Sequence, residues 1–225
     1  MSWRKERRRR EGGYHHGNLK EALVQAALDL IAEKGAGRFT FADAARSAGV
    51  SPAAPYRHFR DRDELLSSVA QQGYEQFEAV LTAAWDDGRP DTPAAFQRVG
   101  KAYLAFAREH PAHYSAMFES GLPLDSNPAL LVASERAFSI IRAASERLAA
   151  MAPPGVPRPP ALMMALHIWS MSHGIASLFG RGDAAGRKLP MSPEDLLEAG
   201  VLIYLKGLGF PIDHRPSEHA SAGKK

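Results

Sequence analysis

Apolar residues recur along this chain at spacings of three and four, and no stretch alternates with a period of two. The first run, Leu19, Leu23, Ala26, Ala27, Leu30 and Ile31, follows the capping-box pattern Asn18-Leu-Lys-Glu21 and stops at Gly35. It predicts a helix. A second start at Thr40, with Asp43 three residues on, leads a short face of Phe41, Ala44, Ala45 and Ala48 that ends at Gly49. Ser51 as cap, Pro52 at the first helical position and Phe59 delimit a third short helix. Asp61-Arg-Asp-Glu64 repeats the cap pattern. From Leu65 to Ala84 the apolar face then persists for about six turns, until Asp86-Asp87-Gly88.

Thr92-Pro93 opens a fifth helix carrying Phe96, Val99, Tyr103, Phe106 and Ala107, broken at His110-Pro111; a short sixth segment over 111–120 holds Tyr114, Met117 and Phe118. A seventh helix starts at Asn127-Pro128 and ends near Met151, and PPGVPRPP at 153–160 reads as a stiff connector. Residues 161–179, ALMMALHIWSMSHGIASLF, are apolar or small on nearly every side, so this eighth helix needs cover all round, more than one chain of this size supplies. The ninth starts at Ser192-Pro193 and presents a broad arc of Leu196, Leu197, Val201, Leu202, Ile203, Leu205 and Leu208. The pattern predicts an all-α protein of about nine helices that self-associates through the eighth and ninth. Arg181-Gly182-Asp183 reads as the turn between those two, and 211–225 as a frayed, flexible tail.

Charge sharpens this picture. The net charge of the 225 residues is only +3, but residues 1–62 hold 13 Lys/Arg against 7 Asp/Glu, leaving the remainder negative. The basic end is the candidate polyanion-binding part. Much of its excess lies in RKERRRR at 4–10, within a basic arm over 1–13 expected to be disordered; a solvated tail and a phosphate-gripping arm both remain open. There is no cysteine, no run of 18 apolar residues and no signal-peptide pattern, so the chain is read as soluble and cytoplasmic.

Within the basic end, the second and third helices around Gly49-Val50-Ser51 have helix-turn-helix proportions, in which the second helix enters the DNA major groove. Pro55 forfeits an intrahelical hydrogen bond and holds the turn tight, Ala53 and Ala54 keep it slim enough to approach bases, and Tyr56, Arg57 and His58 can reach phosphates or bases.

These motifs resemble the DNA-binding domain of the tetracycline-repressor (TetR) family of transcriptional regulators over residues 14–85. The likeness rests on ALDLIAEKG, on Thr40-Phe-Ala-Asp-Ala-Ala-Arg-Ser-Ala-Gly-Val-Ser, on Tyr56-Arg-His-Phe59 and on Asp61-Arg-Asp-Glu-Leu-Leu66. It implies that Thr40 and Tyr56 contact phosphates, that Ser51, Ala53, Ala54, Arg57 and His58 face the groove, and that Arg62, where the family usually has Lys, pairs with a phosphate. Trp169 and His173-Gly174 resemble one branch of the family. They imply an effector pocket among the fourth to eighth helices and a dimer through the eighth and ninth. The domain division is then a helix-turn-helix part at 14–62 and a ligand-binding and dimerisation part at 63–210.

Trp169 and His173 lie four apart on one helix face, and Gly174 allows a close helix approach; packing and an effector or proton sensor are the two readings. Tyr103, Phe106, Met117, Phe118, Phe138, Met163 and His167 join them as a candidate pocket group. His110 and His113 lack the partners of a metal site, and neither a cofactor motif nor a catalytic constellation is found. The expected function is a dimeric regulator, a repressor, released from a palindromic double-stranded DNA operator by a small-molecule effector. A ligand carrier without DNA binding, or an enzyme using the C-terminal cavity, is the alternative.

Overall fold

The computed structural model describes residues 19–180 and 190–210. Its helices are α1 (Leu19–Lys34), α2 (Phe41–Ser47), α3 (Arg62–Trp85), α4 (Thr92–Glu109), α5 (Pro111–Phe118), α6 (Pro128–Met151), α7 (Ala161–Gly180) and α8 (Pro193–Gly207). Among the described residues there is no strand, and the class is all-α. The basic arm, the cap at Asn18, the turn at Arg181-Gly182-Asp183 and the tail lie outside the described residues.

Local chemistry sets the borders of the first elements. Thr40 caps α2 with a reciprocal capping box: its hydroxyl oxygen accepts from the Asp43 amide at 3.1 Å, and the Asp43 carboxylate accepts from the Thr40 amide at 3.0 Å. At the other end Gly49 adopts φ +71°, and the amides of Gly49 and Val50 donate to the carbonyls of Arg46 and Ala45. That pair is a Schellman motif, and it reverses the chain in two residues. Asp61 caps α3 by accepting from the Glu64 amide at 2.9 Å, while the Glu64 carboxylate reaches one residue further back, to the Arg60 amide.

The expected third helix over 52–59 is instead a single 3-10 turn, Ala54–Arg57, and no side chain caps it. Pro55 has no N–H to give the Ser51 carbonyl, so the turn closes through Ala54 N–H to Ser51 O at 3.0 Å and His58 N–H to Pro55 O at 2.9 Å.

α3 runs from the head formed by α1, α2 and this turn into the C-terminal bundle, where it packs on α4, α5 and α6. It ends where Asp86, Asp87 and Gly88 all take left-handed φ values, of 43°, 50° and 73°. Aspartate and glycine tolerate that region best. The core is continuous from Leu23 in α1 to Phe210 beyond α8.

Two glycines let helices cross closely. A Cβ on Gly73 of α3 would fall 2.7 Å from Met117 Sδ on α5, and one on Gly200 of α8 would fall 2.6 Å from Met171 Sδ on α7. No neighbour comes within 4 Å of a Cβ on Gly174, so the close approach expected there is absent within one chain. α7 buries Met164, Ala165, Ile168 and Ile175 yet leaves Leu162, Met163, Leu166 and Leu178 about half exposed.

Candidate DNA interface and effector cavities

The 3-10 turn is an exposed platform on a buried base. Pro55 and Phe59 point into the core, while Ser51, Ala53, Tyr56, Arg57 and His58 face outward and Ala54 is half-buried. Tyr56 is 64% exposed, and its ring stands edge-on against Phe41 of α2 at 5.0 Å. That contact props the phenol outward from the junction of the two elements. The platform therefore offers a guanidinium, an imidazole and a phenol over a span of three residues, with slim alanines beside them. Such a surface fits phosphates and base edges together.

Two residues expected on phosphates are tied up within the protein. The Thr40 hydroxyl donates to Asp43 Oδ2 at 2.7 Å, so its proton serves the cap. Those hydrogen bonds from Thr40 hold the Asp43 carboxyl below its ordinary range. Arg62 is turned inward: Nε donates to the Phe39 carbonyl at 2.8 Å, Nη2 to the Ala36 carbonyl and Nη1 to Asp63 at 2.9 Å, with the guanidinium 4.8 Å above the Phe39 ring. In this DNA-free arrangement the guanidinium is thus engaged within the protein. A planar fork with five donors can bridge two carbonyls and stack at once, which the ammonium of Lys cannot.

In the bundle, Trp169 and His173 meet two tyrosines that helical spacing alone does not bring together. The Trp169 indole N–H donates to Tyr103 Oη at 3.3 Å, and Tyr103 Oη and Tyr114 Oη lie 3.0 and 2.8 Å from His173 Nδ1. Burial pushes the Tyr103 phenol far above its ordinary pKa, so it remains a hydroxyl. Tyr103 thus accepts from Trp169 while also meeting His173, and which atom donates at His173 Nδ1 follows the imidazole tautomer. Tyr114 was the member no sequence signal revealed, since the network joins α4, α5 and α7.

Cavities flank this network. One of about 200 Å³ lies against Phe118, Phe138 and Trp169, with Phe77 behind. A second, of about 310 Å³, is bounded by Phe118, Leu166, Trp169, Ser170 and His173. A third, of about 510 Å³, lies between α4, α5, α7 and the start of α8, beside Tyr114, Arg108 and Glu194. Phe118, Phe138, Trp169 and His173 line one or both of the first two. Tyr103, Phe106 and Met117 are buried core residues behind them, and Tyr103 contributes its hydroxyl to the network.

Met163 and His167 do not line these three cavities. Met163 is 49% exposed, and His167 sits on the outer face with Nδ1 3.3 Å from the Tyr204 hydroxyl of α8. They occupy helical positions rotated away from Met164 and Ile168, the residues that enter the core. Leu162, Leu166 and Ile203 belong to the same exposed set of apolar side chains on α7 and α8, with Ile203 at 74% exposure.

Residues 23–69 match the model of bacterial regulatory proteins of the tetR family, and residues 96–203 match that of the tetracyclin repressor-like C-terminal domain. The chain belongs to the TetR family. Nucleoid occlusion factor SlmA of Vibrio cholerae serotype O1 is 29% identical over 110 residues, covering 46% of this chain and 56% of that protein. SlmA of Aliivibrio fischeri strain MJ11 is 28% identical over 132 residues, covering 58% and 63%. The chain therefore spans less than two thirds of the length of these curated relatives. A solved protein of unknown function from Rhodococcus sp. RHA1 superposes with a TM-score of 0.71 at 28% identity, over 88% of this regulator and 98% of that chain.

Proposed function

We propose that this regulator is a homodimeric, cytoplasmic repressor whose two 3-10 platforms read a palindromic operator, and that a small molecule in the C-terminal bundle releases it. The observation that carries this reading is the platform itself: Tyr56, Arg57 and His58 exposed together on a turn braced from behind by Pro55, Phe59 and Phe41. Residues 14–62 serve as the DNA-binding part, with Ser51, Ala53 and Ala54 at the groove and Thr40 beside the phosphates. Residues 63–210 carry effector binding and dimerisation.

The dimer is assigned to the outer faces of α7 and α8, where half-exposed Leu162, Met163 and Leu166 lie with Ile203 and where Gly174 has open space above it. Burying that apolar surface against its copy removes it from water. Two platforms about 35 Å apart then meet successive major grooves. A ligand that holds α3 at another tilt changes that spacing, and coupling of about 1–3 kcal/mol weakens operator binding roughly 5- to 150-fold.

Electrophoretic shift of DNA flanking the regulator's own gene tests the reading, with and without candidate effectors. Arg57→Ala is expected to lower discrimination between operator and random DNA while leaving binding to random DNA nearly intact. Absence of any shifted site, or equal loss on every sequence, refutes sequence reading by the platform. A ligand carrier or an enzyme would bind its small molecule and shift no DNA.

A further inference from the structure

The 200 Å³ cavity is unusual in what its walls withhold. Three of its wall residues carry a hydrogen-bond donor, and each donor proton is already used inside the protein. The Tyr74 hydroxyl donates to the Met117 carbonyl at 3.3 Å, the Ser134 hydroxyl to the Leu131 carbonyl at 2.7 Å, and the Trp169 indole N–H to Tyr103 at 3.3 Å. The rest of the wall is Phe77, Phe118, Phe138, Leu124, Leu131, Ala137 and Ile141. Glu135, exposed on α6, sets a carboxylate at the rim.

Size and chemistry then restrict the occupant. Drug-sized ligands occupy about 300–1,000 Å³, whereas an apolar cavity of about 150 Å³ holds benzene. The space here, about 200 Å³, suits one ring with small substituents. A hydrogen-bond acceptor carried inward would lose water and find no free donor, and an anion would also meet the Glu135 carboxylate. Tyr74, Phe77, Phe118, Phe138 and Trp169 bring five rings to the wall, with Phe138 and Trp169 centroids 5.0 Å apart and Tyr74 and Phe118 edge-to-face at 5.7 Å. Added to such a cluster, a further ring gains edge-to-face or offset contacts that an aliphatic chain does not.

We propose that this cavity takes an uncharged monocyclic aromatic compound, of the toluene class, and that this compound is the effector. The inference rests on the effector-controlled reading above and names the ligand class for it. Trp169 stands at the centre of the device: one side forms the cavity wall, and its N–H holds the Tyr103 hydroxyl that leads to His173 and, through Tyr114, to α5. A ring seated against Trp169 presses on a network that spans α4, α5 and α7. Since α5 packs on α1 of the head as well as on α3, the displacement has a short route to the DNA platform.

The test is calorimetric titration of the full chain with toluene, benzoate, tetramethylammonium and naphthalene, followed by operator binding in the presence of toluene. Toluene is expected to saturate one site per protomer with a negative heat-capacity change, and benzoate to give no binding heat. Ser134→Leu, which fills the cavity, is expected to weaken toluene binding about tenfold or more while keeping the parent circular dichroism. Phe138→Ala, which enlarges it, is expected to shift preference from toluene toward naphthalene, and tests the site even where Ser134→Leu fails to fold. Benzoate binding as tight as toluene, tighter binding of tetramethylammonium, or unaltered toluene affinity in both variants overturns the ligand class. Toluene binding that follows the two variants but leaves operator affinity unchanged overturns the effector role and leaves the cavity assignment standing. No toluene binding at all overturns the inference, while operator release by some other compound would still uphold the broader reading.

Discussion

Tyr114 Oη lies 2.8 Å from His173 Nδ1, so the short helix α5 is pinned to the core helix α7 by one polar contact inside an aromatic cluster. The two rings are also stacked, with centroids 5.7 Å apart. Tyr114→Phe keeps the stacking and removes the hydrogen bond. The expected loss is about 1 kcal/mol of unfolding free energy, since a net hydrogen bond contributes about 0.5–1.5 kcal/mol. Urea denaturation should show a lower midpoint at unchanged slope; an unshifted midpoint would mean that water or Tyr103 replaces the contact at no cost.

Arg62 holds the loop between α1 and α2 against the start of α3 through the carbonyls of Ala36 and Phe39. Arg62→Ala leaves both carbonyls without that donor and removes the stacking on Phe39, which is expected to cost about 2 kcal/mol. Arg62→Lys should recover only part, because an ammonium cannot span both acceptors in the same plane. Operator affinity should fall with the head's order, yet the slope of log K against log salt should stay as it was. A slope smaller by about 0.9 would return Arg62 to a phosphate.

His113 is buried on α5, and its Nε2 has no hydrogen-bond partner in the structure. Burial chiefly, and His110 beside it, lower its pKa from the ordinary 6.5. The unfolded chain thus binds a proton near that pH that the folded chain refuses. Stability is full above the unfolded pKa and falls as pH drops below it toward the folded value. His113→Leu should flatten that dependence below about pH 6.5 and raise stability above that pH by about 1 kcal/mol, as an unsatisfied buried nitrogen is removed. Asp43, held low by Thr40, adds a separate loss at still lower pH, in the carboxylate range, which this variant leaves in place.

Ile203 is 74% exposed and Leu166 44%, both on the outer face of α7 and α8. Ile203→Glu combined with Leu166→Glu would place charges where the dimer reading buries apolar surface. Sedimentation should then give protomers at concentrations at which the parent is dimeric. Operator affinity should drop by about 100-fold or more, as two linked half-site contacts become one. A dimer that survives both substitutions would locate the interface elsewhere.

What could be read along the chain was what depends on near neighbours. The Thr40–Asp43 box, the Gly49 reversal, the Asp61 cap and the period of α3, α4, α6 and α8 all follow from contacts within a few residues, and the structure contains each of them. The platform was legible too, although two prolines reduce the expected helix to a single 3-10 turn. A periodic pattern identifies which helix face is apolar but not which neighbour covers it. Met163 and Met164 are adjacent and chemically identical, and only packing decides that Met164 is fully buried while Met163 stays half-exposed.

The sequence by itself determined an all-helical chain with a basic, helix-turn-helix head, because caps, turns and periodicity act over a few residues and survive translation into any packing. The tertiary structure alone decided that Arg62 bonds to carbonyls of its own chain, that Tyr114 joins Trp169, Tyr103 and His173, and that aromatic residues from α3, α5, α6 and α7 meet around one apolar cavity. Those relationships join residues 23 to 70 positions apart in the chain, and only the burial of whole helix faces against one another selects among the many pairings that local pattern permits.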